Sequence, residues 1–161
     1  MNNVKLSQKV WQDPAYFLAF GFGSGLMPIA PGTWGTLAAI PVYLLLSGCP
    51  LWAYLLFTTA AFFLGVWVSD KVAYELGVHD YGGIVWDEIV GYLVTMAMAP
   101  VSLGWMITGF ILFRLFDIWK PQPIRLVDEK IKGGLGIMLD DLIAAIPAWL
   151  IMQLLVWSFA A

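Results

Sequence analysis

Residues 84–104 read IVWDEIVGYLVTMAMAPVSLG, and this stretch decides the fold. An acid pair, Asp87-Glu88, opens an apolar run that carries no further charge up to Ala99. Pro100 then breaks the run within Ala99 to Gly104, because proline lacks the amide donor and clashes with the preceding helical turn. The apolar residues from Ile89 to Phe113 are therefore predicted as two helices joined at an uncharged turn. Acids at one end of a hairpin and a bare turn at the other is the pattern of a chain whose chemistry sits on one side of a bilayer.

The whole sequence repeats that segregation. Of its 161 residues, 61% are hydrophobic and 12% charged, with a mean hydropathy of +0.82. Soluble domains average roughly 45–50% apolar and about 25% charged. Charges fall in three polar stretches, and the turn Ser47 to Pro50 carries none. Further apolar runs cover Thr36 to Leu46, Leu51 to Val68 and Leu142 to Phe159. The expected fold is all-α, one domain over residues 1–161, a small bundle of about five membrane helices with a polar site on its cytoplasmic face. The first run is short for a span of about 20 residues, so it either spans or re-enters.

Asp13-Pro14 marks a helix start, with aspartate as N-cap and proline at the first helical position, so Tyr16 to Phe20 should form a short helix. The glycine- and proline-rich segment from Gly21 to Thr36 is expected to be irregular. Lys5, Lys9, Lys71, Arg114, Lys120, Arg125, Lys130 and Lys132 share one side if the uncharged turns lie on the other, and the positive-inside rule assigns that side to the cytoplasm. Asp13-Pro14 and the lack of a small-residue cleavage motif argue that the apolar Ala15 to Phe22 is retained rather than removed as a secretory signal. A net charge of -3 excludes a phosphate-neutralising nucleic-acid surface. The single cysteine, Cys49, has no partner for an internal disulfide.

Acids at the edge of hydrocarbon are costly unless a cation compensates them. Taken singly, Asp87-Glu88 or Asp140-Asp141 could simply occupy the positive end of a helix dipole. Asp117, flanked by Arg114 and Lys120 at three-residue spacing, makes a third acidic position converging on one membrane surface. Carboxylates without thiols or a second imidazole are ligands for a hard cation, and Mg2+ is commonly held by one or two carboxylates with substrate phosphate completing its shell. Asp87, Glu88, Asp117, Asp140 and Asp141 are thus candidate metal ligands and acid-base groups, with Lys120 beside them. Arg125 and Lys130 are candidate phosphate holders, as are Thr33 and Gly35, where a helix N-terminus is expected and Thr33 is the candidate N-cap. His79, the sole histidine, is more often structural but stands next to Asp80.

One histidine cannot support a multi-histidine phosphatase, Cys49 has no arginine loop, and no Asp-x-Asp pair exists for an aspartyl-phosphate enzyme. Water activated by a metal is the simplest phosphoryl-transfer chemistry left. An ion-coupled transporter or channel subunit is the rival, since intramembrane acids often mark ion paths; a non-catalytic assembly subunit is a third possibility.

Several ordered blocks carry a resemblance: Gly21-Phe-Gly-Ser-Gly-Leu26, Pro31-Gly-Thr33, Gly77-Val-His-Asp80, Ile84-Val-Trp-Asp-Glu88, Phe116-Asp-Ile-Trp-Lys-Pro121, Pro123-Ile-Arg125 and Gly133-Gly-Leu-Gly-Ile-Met-Leu-Asp-Asp141. Together they resemble the phosphatidylglycerophosphatase A family of Gram-negative bacteria over nearly the whole chain. Trp34 and Gln122 look like tolerated changes within those blocks. The resemblance implies an inner-membrane, Mg2+-dependent hydrolase that removes the terminal phosphate of phosphatidylglycerophosphate, an anionic phospholipid, to give phosphatidylglycerol. The resulting expectation is a cluster of Asp87, Glu88, Asp117, Asp140 and Asp141 with Lys120, and a substrate side formed by Thr33, Gly35, His79, Arg114, Arg125, Asp128 and Lys130.

Overall fold

A computed structural model describes residues 3–78, 81–122 and 130–159. His79, Asp80, Arg125 and Asp128 lie outside the described residues. Those described fold into seven α-helices and one 3-10 turn, with no strand among them: α1 Asn3–Gln12, α2 Pro14–Ala19, the turn Ser24–Leu26, α3 Pro31–Leu46, α4 Leu51–Leu76, α5 Trp86–Met96, α6 Leu103–Trp119 and α7 Gly133–Phe159. Two of them, α4 with 26 residues and α7 with 27, are long and apolar enough to cross a membrane.

The start of α2 is as the sequence dictates: the Asp13 carboxylate accepts the Ala15 N–H at 2.8 Å and Pro14 takes the first helical position. The sequence reading did not anticipate α1, whose polar composition hides a narrow apolar stripe in which Leu6 and Val10 are buried one turn apart. Polar contacts tie this arm to the end of α4. Lys9 pairs with Glu75 at 2.5 Å, and Lys71 with Asp13 at 3.2 Å. The hydrogen bond to Glu75 holds the Lys9 ammonium above its ordinary value of 10.5. Burial pushes Asp13 up, but the Ala15 N–H and the Lys71 ammonium outweigh it and leave the carboxyl below its ordinary 3.8.

Helix α3 begins at Pro31, five residues before the predicted Thr36, so the irregular segment ends at Ala30. Gly32 and Gly35 do not break the helix because both are buried where it presses on α5. Ala30, in left-handed conformation with φ 49°, is the N-cap; Thr33 sits inside the first turn, which corrects its expected capping role.

Helix α5 is the organising element. At 11 residues it is only about 16 Å long, and eight of those residues are buried among the longer helices. It ends at Met96, ahead of Pro100, because the chain turns at Met98 with φ 65°. A helix end inside apolar surroundings leaves carbonyls that water cannot satisfy. Side chains of other helices satisfy them here. Tyr54 Oη donates to Leu93 O at 2.6 Å, Trp149 Nε1 and Gln153 Nε2 both donate to Ala97 O at 3.0 Å, and Tyr43 Oη donates to Ala99 O at 3.2 Å.

Helix α7 starts at Gly133, nine residues before the predicted Leu142, so part of the presumed connection from Pro121 to Gly136 is helix. Its three glycines, Gly133, Gly134 and Gly136, disfavour helix, but no proline interrupts residues 133–141 and α4 stabilises them from outside: Asp70 Oδ1 accepts the Gly134 N–H at 2.9 Å, capping α7 across helices. A Cβ at Gly134 would lie 2.0 Å from Val66 O, which is why the two backbones can meet there.

Candidate active site

Three helix segments bring the five predicted acids to one cavity of about 110 Å3. Asp87 and Glu88 come from the first turn of α5, Asp117 from the last turn of α6, and Asp140 and Asp141 from α7. Lys120 lines the same cavity. It ends α6 in left-handed conformation, φ 41°, and its Nζ meets Asp140 Oδ2 at 2.5 Å.

The helix-dipole explanation suits Asp87 and Glu88 but not the other doublet. Asp140 and Asp141 stand two turns inside α7, where dipole stabilisation has faded. Both are buried, at 5% and 3% exposure, and Asp117 is at 8%. Buried carboxylates at these positions need cations or protons to be tolerated.

The protein supplies part of that compensation. Arg114, one turn before Asp117 on α6, pairs with Asp117 and stands 3.7 Å from Glu88 Oε1. A Cβ at Gly32 would lie 2.2 Å from Glu88 Oε1 and 3.0 Å from Arg114 Nη1, so the start of α3 rests directly on this pair. Arg114 therefore faces site carboxylates, whereas the sequence placed it on the substrate side.

Among the described residues, five carboxyl groups meet two basic side chains here, Arg114 and Lys120. One carboxylate oxygen from each of Asp87, Glu88 and Asp141 lies within 4.8 Å of the other two. Glu88 Oε2 and Asp141 Oδ2 are buried without a hydrogen-bond partner. Hard oxygen donors that converge in this way, with a buried unpartnered oxygen on Glu88 and on Asp141, fit a divalent cation of the Mg2+ type. Asp117 and Asp140, each engaged by a basic side chain, stand beside that trio.

Of the remaining predicted positions, Thr33, Gly35 and Lys130 are described, and none of them lines the acidic cavity. Thr33 is half-buried in the first turn of α3, one residue beyond Gly32. Gly35 is buried with Val85 Cβ 2.6 Å from where its own Cβ would be, so it contacts protein rather than an open space. Lys130 is exposed. The sequence reading missed Gly82 and Gly136, which line the cavity; the signal was glycine beside each acidic block, where a small residue lets backbone approach a charged centre.

Comparison with known proteins places these features in a family. A family model described as Phosphatidylglycerophosphatase A matches residues 17–156. The chain is 43% identical over 145 residues to phosphatidylglycerophosphatase A of Escherichia coli strain K12, covering 89% of this chain and 84% of the relative. It is 49% identical over 142 residues to phosphatidylglycerophosphatase A of Haemophilus influenzae, covering 87% of each. No solved structure matches the chain. The match includes all five acids of the cavity, and the chain belongs to the phosphatidylglycerophosphatase A family.

Proposed function

We propose that this protein hydrolyses the terminal phosphomonoester of phosphatidylglycerophosphate, releasing phosphatidylglycerol and inorganic phosphate. The observation that carries the proposal is the gathering of Asp87, Glu88, Asp117, Asp140 and Asp141 with Lys120 around one small cavity, in a chain of this family.

Asp87, Glu88 and Asp141 would hold Mg2+. The chemistry such an ion supplies is Lewis acidity toward a phosphoryl oxygen and toward water. The protein's own groups do the rest. Lys120, partly exposed on the cavity wall and paired with Asp140, would offer an ammonium to a phosphate oxygen. Arg114 fixes Glu88 and Asp117 relative to each other, so the carboxylates stay in place as charge moves. Water attacks phosphorus, the bond from phosphorus to the glycerol oxygen breaks, and a carboxylate of the cluster carries the proton from the water toward that oxygen.

The setting we propose is the bacterial inner membrane. Helices α3, α5 and α6 would join α4 and α7 in the bilayer to make five membrane-embedded helices, with α5 re-entrant, and the acidic end would face the cytoplasm as the positive-inside rule requires. An ion-coupled transporter finds no support: the acids gather at one end of the helices rather than along a path, and the family relatives are phosphatases by name.

The test is phosphate release from phosphatidylglycerophosphate by the purified protein in detergent. Asp87→Asn or Asp141→Asn should abolish it with membrane insertion intact, and near-normal activity of either variant would remove the cluster from the mechanism.

A further inference from the structure

A second cavity, of about 470 Å3, opens beside the acidic one, and Gly82 lines both. Its walls are α1, the segment from Gly25 to Pro31, and the turn Tyr81 to Gly83. The two turns are locked together. Val85 N–H donates to Ala19 O at 2.8 Å, and a Cβ at Gly25 would lie 2.0 Å from Gly83 O, so backbone rests on backbone and the cleft keeps its shape.

Among the described residues the lining is uncharged and mixed. Ser7 and Tyr81 bring hydroxyl groups, Gly82 and Gly83 bring bare backbone, and Met27 and Phe20 bring apolar surface. Ile29, next to the cleft segment, is 78% exposed. We propose that this cleft receives the glycerol and phosphodiester portion of the lipid whose terminal phosphate enters the acidic cavity, an inference that rests on the function proposed above. Gly82 stands in the wall of both, so a molecule that reaches past it would place one end in each. The chemistry divides accordingly: the doubly charged monoester needs cations, whereas a singly charged diester and a glycerol hydroxyl are satisfied by neutral donors on a partly apolar wall. The apolar rim then leads the acyl chains out toward the bilayer.

The experiment fills the cleft without touching the acids. Met27→Trp and Ser7→Trp should each raise KM for phosphatidylglycerophosphate about tenfold or more with kcat retained, the pattern of lost ground-state binding. A second measurement does not depend on turnover. In a Cys49→Ser, Ser7→Cys, Asp141→Asn protein, phosphatidylglycerophosphate should slow maleimide labelling at position 7, and phosphatidylcholine of the same chain length should not. An unchanged KM in both tryptophan variants, a loss of kcat and thermal stability without a KM effect, or labelling that ignores the lipid or responds equally to phosphatidylcholine would overturn the cleft assignment. Absence of phosphate release by the wild-type protein would instead sink the proposed function, while labelling still reports on the cleft.

Discussion

Gly32→Ala adds one methyl group where α3 rests on the Glu88 and Arg114 pair. The new Cβ would stand 2.2 Å from Glu88 Oε1, with Arg114 Nη1 and Nη2 at 3.0 and 3.2 Å behind it. Packed Cβ atoms keep at least 3.0 Å, so something must retreat by about 0.8 Å, the difference between 3.0 and 2.2 Å. The yielding atom is the far end of a flexible glutamate, and alanine favours helix over glycine by up to about 1 kcal/mol, so the fold should lose little. Activity should lose much. Displacements on the order of 1 Å at a catalytic constellation cost about 100-fold, equivalent to about 2.7 kcal/mol of barrier. The assay is kcat for phosphatidylglycerophosphate hydrolysis in detergent alongside thermal unfolding followed by circular dichroism. Gly48→Ala is the control, since nothing lies within 4 Å of the added atom. Wild-type kcat in Gly32→Ala would refute the inference that α3 sets the position of Glu88.

Arg114→Lys keeps the charge but loses the fork that reaches both Glu88 and Asp117; kcat should fall at least about tenfold with KM little changed, and a rise in KM alone would return Arg114 to the substrate side. Tyr54→Phe removes the donor to Leu93 O and should destabilise the protein by about 1–3 kcal/mol, read as a lower unfolding temperature in detergent; an unchanged transition would mean that this carbonyl needs no partner. The junction of the N-terminal arm with α4 should depend on pH at both ends. Asp13 is depressed below 3.8, so its contribution is present above that value and fades as pH falls through the lowered one. Lys9 is raised above 10.5, so its contribution is present below that value and fades at still higher pH. Protection of α1 amides, relative to their intrinsic exchange rates, should therefore fall at both extremes, and flat protection would contradict the electrostatic tie.

The sequence announced the acids, the all-helical class and the break near Pro100 because each has a local cause: a charge against hydrocarbon, an apolar run of helical length, a missing amide donor. The lengths of the elements had non-local causes. Asp70 capping α7 from another helix let it begin at Gly133, and Tyr54, Trp149 and Gln153 closing the end of α5 let that helix stop short. None of these four partners is adjacent in sequence to the residue it satisfies, so periodicity could not reveal them. The same limit explains Arg114: its three-residue spacing to Asp117 was legible, but its approach to Glu88 depends on how α6 and α5 cross. Gly35 read as an open phosphate-holding position at a helix start because only the packed neighbour, Val85, shows that this glycine marks contact with protein.

The central claim is that Asp87, Glu88 and Asp141 hold a divalent cation required for lipid phosphate hydrolysis. Phosphate release from phosphatidylglycerophosphate by the purified protein, measured with Mg2+, then with EDTA, then with Mg2+ restored, tests it most directly. The prediction is release, arrest and recovery; release that continues undiminished in EDTA, or none under any condition, would contradict it.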